Sequence, residues 1–251
     1  LLVLAASEAV GGHAEAALRA GCAAELIHAY SLVHDDMPCM DDDVLRRGKP
    51  TVHVQYGEAL ALLAGDALQA FAFELLTPDD GHAGAEVQAA LCRLLARAAG
   101  SAGMAGGQAI DLASVGRALD LAQLRRMHEL KTGALLQASV LMGAACGGAA
   151  AMALRAPAWS ALVRYGAALG LAFQVVDDIL DVTADSATLG KTAGKDAAHG
   201  KPTYVSLLGI EGAQTQAQQL LTEAQAALEA SSLPDTRALA ALAEMVVCRS
   251  S

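Results

Sequence analysis

Basic residues are in short supply: 17 Lys and Arg stand against 27 Asp and Glu, for a net charge of −10. A nucleic-acid binder needs a basic face, so that class is disfavoured from the start. Cysteines form no close pair. Cys22, Cys39, Cys92, Cys146 and Cys248 are an odd and dispersed set, which argues against a disulfide framework and against structural zinc. The same pattern points to a reducing, cytosolic compartment. Aromatics make up only 3% of the chain. The core must therefore be packed by small and branched aliphatic side chains, which suits helices that meet closely. No stretch alternates with period two for long enough to be a strand. No repeat, linker or low-complexity tail is visible. No basic segment precedes Leu1-Leu2-Val3-Leu4, so the opening is a poor signal peptide. One charge-free run, Thr132 to Leu154, is long enough to span a bilayer. It holds many Gly and Ala and few large apolar residues, so a buried core helix fits it better and no stable membrane insertion is expected.

What the sequence does have is apolar helix. Hydrophobic residues are 54% of 251, enough for one large all-α domain over residues 1–251. Ala14 to His34 reads as a helix with Leu18, Cys22, Leu26 and Tyr30 at helical spacing. Pro38 ends or bends it, because proline cannot donate to the ladder and clashes with the carbonyl four residues back. Gly48-Lys49-Pro50-Thr51 is a loop. Val54 to Leu76 reads as one long helix with Leu60, Leu63, Ala67 and Phe71 on a common face. A turn follows at Thr77-Pro78-Asp79-Asp80-Gly81. Glu86 to Ala99, Leu121 to Cys146 and Ala158 to Asp181 read as further helices. Tyr204 to Leu208, Gln214 to Ala230 and Thr236 to Cys248 read as terminal ones. Between them, Gly100 to Gly107 is glycine-rich. It could cradle a phosphate, but glycines in an Ala-rich helical chain more often permit close helix contact, and packing is the preferred reading.

Two acidic clusters sit at the ends of these apolar helices. Asp35, Asp36, Asp41, Asp42 and Asp43 crowd nine positions, followed by Arg46 and Arg47. Far downstream stand Asp177, Asp178 and Asp181. Asp177 and Asp181 are four apart and share one helix face, where two carboxylates repel unless a cation lies between them. Hard oxygen donors without a His/Cys set point to Mg²⁺; a solvated helix end is the alternative. Asp35 and Asp41 are six apart and do not share a face of an ideal helix. A last turn distorted by Pro38 would bring them together. Carboxylates bring Mg²⁺, which bridges phosphate oxygens, and arginine forks onto such oxygens directly. Lys131, Lys191, Lys195 and Lys201 add positive charge. Together the set suits a diphosphate.

These residues carry a family resemblance. YSLVHDDMPCMDDDVLRRGKPTVH, GMAGGQAIDL, HELKTGALL and FQVVDDILDVTADSATLGKTAGKDAAHGKPTYVSLLG span most of the chain. It resembles the trans-isoprenyl diphosphate synthases, and the bacterial short-chain farnesyl type most closely. The resemblance implies an all-α helical bundle around a deep central cavity, a homodimer, and both aspartate motifs at the cavity mouth. It implies that Asp35 and Asp41 hold two Mg²⁺ and Asp177 a third, with Asp36, Asp178 and Asp181 supporting them. Arg46, Lys131, Lys191 and Lys201 match positions that hold an allylic diphosphate. Arg47 and His28 match positions that hold isopentenyl diphosphate; an ordinary helix histidine is the alternative for His28. Thr132 and Gln174 match polar groups near the developing carbocation, and Gln108 and Asp111 support the site. Tyr30, with Ser31 beside it, lies five residues before Asp35, about 7.5 Å along the helix axis. A ring there would floor the tail cavity and set a fifteen-carbon product; if Tyr30 is an ordinary core ring, a geranylgeranyl product stays open. A terpene cyclase is disfavoured, since it would carry an Asn/Ser/Glu triad in place of the second cluster. A non-catalytic synthase subunit is disfavoured because such subunits lose an aspartate motif. One feature departs from the family pattern. A Gly-Lys-x-x-Arg element usually stands just before the first helix, and here the sequence already opens on that helix. Either an N-terminal segment precedes Leu1 or the isopentenyl diphosphate site is deficient.

Overall fold

The computed structural model describes residues 1–81, 83–148, 157–183 and 202–249. It is an all-α bundle. In chain order the helices are α1 (Leu2–Ala9), α2 (Ala14–Asp35), α3 (Val52–Tyr56), α4 (Glu58–Leu76), α5 (Ala85–Ala99), α6 (Met104–Ser114) and α7 (Leu121–His128). A π turn, Glu129–Gly133, joins α7 to α8 (Ala134–Ala145). Then follow α9 (Pro157–Thr183), α10 (Tyr204–Glu229) and α11 (Arg237–Cys248). One two-residue antiparallel pair, Leu45–Arg46 with Lys49–Pro50, closes the loop expected around Gly48. It is too short for an alternating pattern to betray it.

Local chemistry sets several boundaries. Asp120 and Gln123 form a reciprocal cap on α7, and Thr203 and Ser206 do the same for α10, satisfying first-turn N–H groups that have no partner within the helix. The long helix expected from Val54 to Leu76 is broken at Gly57, whose φ of 89° only glycine adopts freely. Gly209, at φ 71°, likewise kinks α10. The single helix expected from Leu121 to Cys146 is interrupted by the π turn.

Two apolar cores hold the bundle. One lies among α1, α8, α9, α10 and α11, with Leu169, Leu220 and Leu239. There the Tyr165 hydroxyl donates to the Leu239 carbonyl at 2.7 Å, tying α9 to α11. The other, with Ile27, Leu91, Leu95 and Met142, lies among α1, α2, α4, α5 and α8. Each fully buried aliphatic side chain contributes about 1.5–3 kcal/mol. Glycines let the helices touch. A Cβ on Gly143 would overlap the Val3 carbonyl oxygen, and one on Gly107 would overlap the Lys131 backbone nitrogen. Gly107 thus lets α6 pack directly against the π turn. Helix α8, within the uncharged run Thr132 to Leu154, is buried along most of its length. By length and composition alone α4 and α9 could cross a bilayer, but most of α9 is buried within the bundle.

Candidate active site

The site grows out of the ends of α2 and α9. Pro38 stops α2, and the chain curls back so that Asp41 N–H donates to the Asp35 carbonyl at 2.9 Å and Asp43 N–H to the Asp36 carbonyl at 3.1 Å. The six-residue separation of Asp35 and Asp41 is thereby closed by a turn. From the other direction, α9 carries Phe173, Gln174 and Asp177 toward the same space. α2, α4, α6, the π turn, α8 and α9 enclose a cavity of about 800 Å³, within the usual range for ligand sites. Asp35 and Asp177, 142 positions apart, both line it, together with His28, Tyr30, Ser31, Lys131, Thr132 and Gln174. Leu32, Leu135, Leu136, Met104 and Leu112 make much of the rest apolar.

The electrostatics follow from burial. Asp35 is pushed up to about 6, first because burial disfavours its charge; the like charges of Asp41 and Asp36 add, while Lys131 and Arg46 oppose. Lys131 Nζ sits 2.5 Å from Asp111 Oδ2, so a carboxylate on α6 anchors the cation that the π turn presents. Thr132 donates its hydroxyl to Gln174 Oε1 at 2.5 Å, which fixes both groups against the cavity. Burial lowers His28, with Arg47 and Arg46 adding to the effect and Glu25 opposing it. Tyr30 is 9% exposed, and its ring lies edge-on to His34 with centroids 5.7 Å apart.

Other expected residues lie elsewhere. Asp36 is buried and grips Arg46 in a fork: Nε at 2.9 Å from both carboxylate oxygens and Nη2 at 2.5 Å from one. Asp36, expected to support the metal ligands, is thus engaged with the arginine expected to hold the allylic diphosphate. Arg47 is exposed, in a left-handed backbone conformation at φ 51°. Asp178 is buried and accepts from Tyr204 N–H at 2.7 Å, holding the start of α10; Asp181 is buried and is not part of the cavity wall. Lys191, Lys195 and Lys201 lie outside the described residues. Three groups on the wall escaped the sequence reading: Asp66, Gln69 and Glu25. So did Arg249. Its Nη2 donates to Asp177 Oδ1 at 3.1 Å and to the Phe173 carbonyl at 2.9 Å, and its guanidinium lies 4.1 Å from the Phe173 ring centroid. A lone arginine 72 positions downstream carries no local signal of that contact.

The donor set can be tested against Mg²⁺. Among the described residues no three His, Cys, Asp or Glu side chains converge into a closed cage. Mg²⁺ does not need one: it keeps water, and takes one or two carboxylates plus substrate phosphate oxygens. Asp35 and Asp177 offer hard oxygens from two walls of one cavity, and the raised Asp35 pKa is a charge strain that a divalent cation would relieve. The residues fit such an ion.

An all-α bundle with acidic helix ends on one deep cavity defines the isoprenoid synthase class. The chain belongs to the polyprenyl synthetase family, whose sequence profile matches residues 1–240. A probable farnesyl diphosphate synthase of Sinorhizobium fredii is 53% identical over 91% of this chain and 68% of its own length. A chloroplastic geranylgeranyl pyrophosphate synthase of Capsicum annuum is 46% identical over 99% of this chain and 66% of its own. Among solved structures, an FPP/GFPP synthase from Zymomonas mobilis superposes with a TM-score of 0.83 at 42% identity, covering 98% of this chain and 81% of that one. The geranyltransferase from Helicobacter pylori, complexed with magnesium and isoprenyl diphosphate, gives 0.82 at 36% identity, covering 98% and 82%.

Proposed function

We infer that this protein is a Mg²⁺-dependent trans-prenyltransferase that condenses isopentenyl diphosphate with an allylic diphosphate to give farnesyl diphosphate. The observation that carries this reading is the presence of Asp35 and Asp177 on one largely apolar cavity beside Lys131. Mg²⁺, held by Asp35, Asp41 and Asp177, would supply the positive charge that stabilises diphosphate as it leaves. Lys131, oriented by Asp111, holds the same diphosphate from the α6 side. Breaking the C1–O bond leaves an allylic cation, which the Thr132–Gln174 pair faces with oxygen dipoles. The isopentenyl double bond then attacks C1, and a proton leaves C2 of that unit for the departed diphosphate. Apolar walls keep water from the cation. His28 and Arg47 would hold the second diphosphate.

The product reading rests on Tyr30, buried against the cavity, and on the farnesyl synthases among the relatives. A homodimer is supported by α4, whose Leu60, Leu63 and Phe71 are exposed; an apolar helix face of this kind calls for a partner. All five cysteines are unpaired, which supports a reducing compartment. The test is incubation with dimethylallyl and isopentenyl diphosphates and Mg²⁺, followed by chromatography of the prenyl chains. Farnesyl diphosphate is expected. A twenty-carbon chain would favour the geranylgeranyl reading, and a cyclic hydrocarbon or no turnover would contradict prenyl transfer.

A further inference from the structure

Helix α11 ends at Cys248, and the next residue, Arg249, crosses to α9. Its Nη2 meets two groups one turn apart on that helix, the Phe173 carbonyl at 2.9 Å and Asp177 Oδ1 at 3.1 Å. Its guanidinium also lies over the Phe173 ring. Phe173 and Asp177 both line the cavity, so three contacts of one side chain converge on two residues of its wall. The arrangement is poorly suited to a purely structural pair. Arg249 Nε is buried and has no hydrogen-bond partner. Burial disfavours the guanidinium charge, and Asp177 is the group that opposes this. Arg46, by contrast, sets both Nε and Nη2 on Asp36 in a closed fork. A single-point ion pair whose carboxylate is 38% exposed contributes little to stability. The contact therefore calls for a role at the carboxylate itself.

We propose that Arg249 is a positioning residue that fixes the orientation in which the Asp177 carboxylate meets a divalent cation. This rests on the reading of Asp177 as a Mg²⁺ ligand above. The terminal torsion of an aspartate is broad, and a hydrogen bond from Nη2 narrows it. A carboxylate held in this way binds an ion more tightly, because less freedom is lost when the ion arrives. The Phe173 carbonyl and ring belong to the same helix as Asp177. They set where the guanidinium stands, and the guanidinium in turn sets the carboxylate. Arginine suits this task because its planar group can stack on a ring while it donates, whereas lysine offers only a compact point charge. A guanidinium that instead competed with the ion for Asp177 would give the opposite sign in the test below.

The tests use two variants of the full chain. Arg249→Met keeps an apolar stem beside Phe173 and removes the hydrogen bonds; Arg249→Lys keeps the charge. Calorimetric titration of inorganic diphosphate in Mg²⁺ should show affinity lowered about 10–100-fold in Arg249→Met, with a smaller loss in Arg249→Lys. The Tm of the ligand-free variants should move by no more than about 4 °C; a larger fall in Arg249→Met passes the decision to Arg249→Lys. Because Arg249 acts through Asp177, adding Arg249→Met to Asp177→Ala should lower affinity by less than about twofold further. In turnover assays the Mg²⁺ concentration giving half the maximal rate should rise, while KM for isopentenyl diphosphate stays within about threefold. Tighter binding in Arg249→Met would make Arg249 a competitor of the ion and overturn the proposal. Unchanged affinity, or the full loss persisting in the Asp177→Ala background, also overturns it. So does a raised KM for isopentenyl diphosphate with unchanged diphosphate affinity, which would make Arg249 a direct substrate contact. An unaltered protein that binds diphosphate in Mg²⁺ but makes no prenyl chain would remove the prenyl-transfer reading and leave the affinity comparison to decide; one that binds none would remove both.

Discussion

Tyr30 and His128 show how single side chains carry testable content. Tyr30 is packed against His34 and lines the cavity a little over one helical turn before Asp35. Tyr30→Ala removes a ring from the wall and should shift the product from fifteen carbons to twenty or more by chromatography; an unchanged length would put the floor elsewhere. His128 ends α7 just before the π turn, 7% exposed, with neither ring nitrogen paired and its ring 5.7 Å from that of Tyr204. Burial first, and the Lys131 charge second, push its pKa from 6.5 down to about 4, against the pull of Asp111 and Asp177. The unfolded chain therefore takes up a proton at a pH where the folded protein refuses it. Stability from this group is intact above pH 6.5 and is lost as pH falls toward 4, on the order of 3 kcal/mol in full. His128→Phe should flatten the decline of Tm between pH 7 and 4.5. Parallel declines in the two proteins would show that other groups govern it.

At the scale of elements, the π turn is the part that matters most and the part least visible beforehand. It presents Lys131 and Thr132, and π turns within helices are often found at functional sites. Two glycines clamp it: Gly107 of α6 against the Lys131 backbone, and Gly170 of α9 against Gly133. Gly107→Ala must push the turn aside, so turnover should fall at least about tenfold and stability by about 1–3 kcal/mol, with helical circular dichroism retained. Normal turnover would show that the turn tolerates displacement. The helices themselves were legible, because apolar residues at three- and four-residue spacing survive almost any context. A single inserted residue leaves that spacing nearly intact, which is why Leu121 to Cys146 reads as one helix. The break at Gly57 is hidden for a similar reason, since glycine is tolerated inside apolar helices. Glycine richness did announce close packing, which the structure places at Gly107. It could not say that the packed partner was the π turn.

At the scale of the molecule, the site is assembled from segments distant in sequence. That Asp35 and Asp177 line one cavity was an inference from two acidic clusters at the ends of apolar helices. That Arg249 reaches Asp177 depends on how the whole chain closes, whereas Arg46 takes Asp36 within one local loop. The exposed face of α4 has the same lesson: helical spacing found Leu60, Leu63 and Phe71 on one side, and only the assembled bundle shows that side facing outward. The central claim is that carboxylates from two walls share divalent cations on a single diphosphate. Calorimetric titration of inorganic diphosphate in Mg²⁺ tests it directly on the unaltered protein, Asp35→Ala, Asp177→Ala and the double variant. Sharing predicts that each single variant loses at least about tenfold in affinity and that the double loses clearly less than the product of the two, the signature of coupled residues. Losses that multiply, or affinity that survives either substitution, would contradict it.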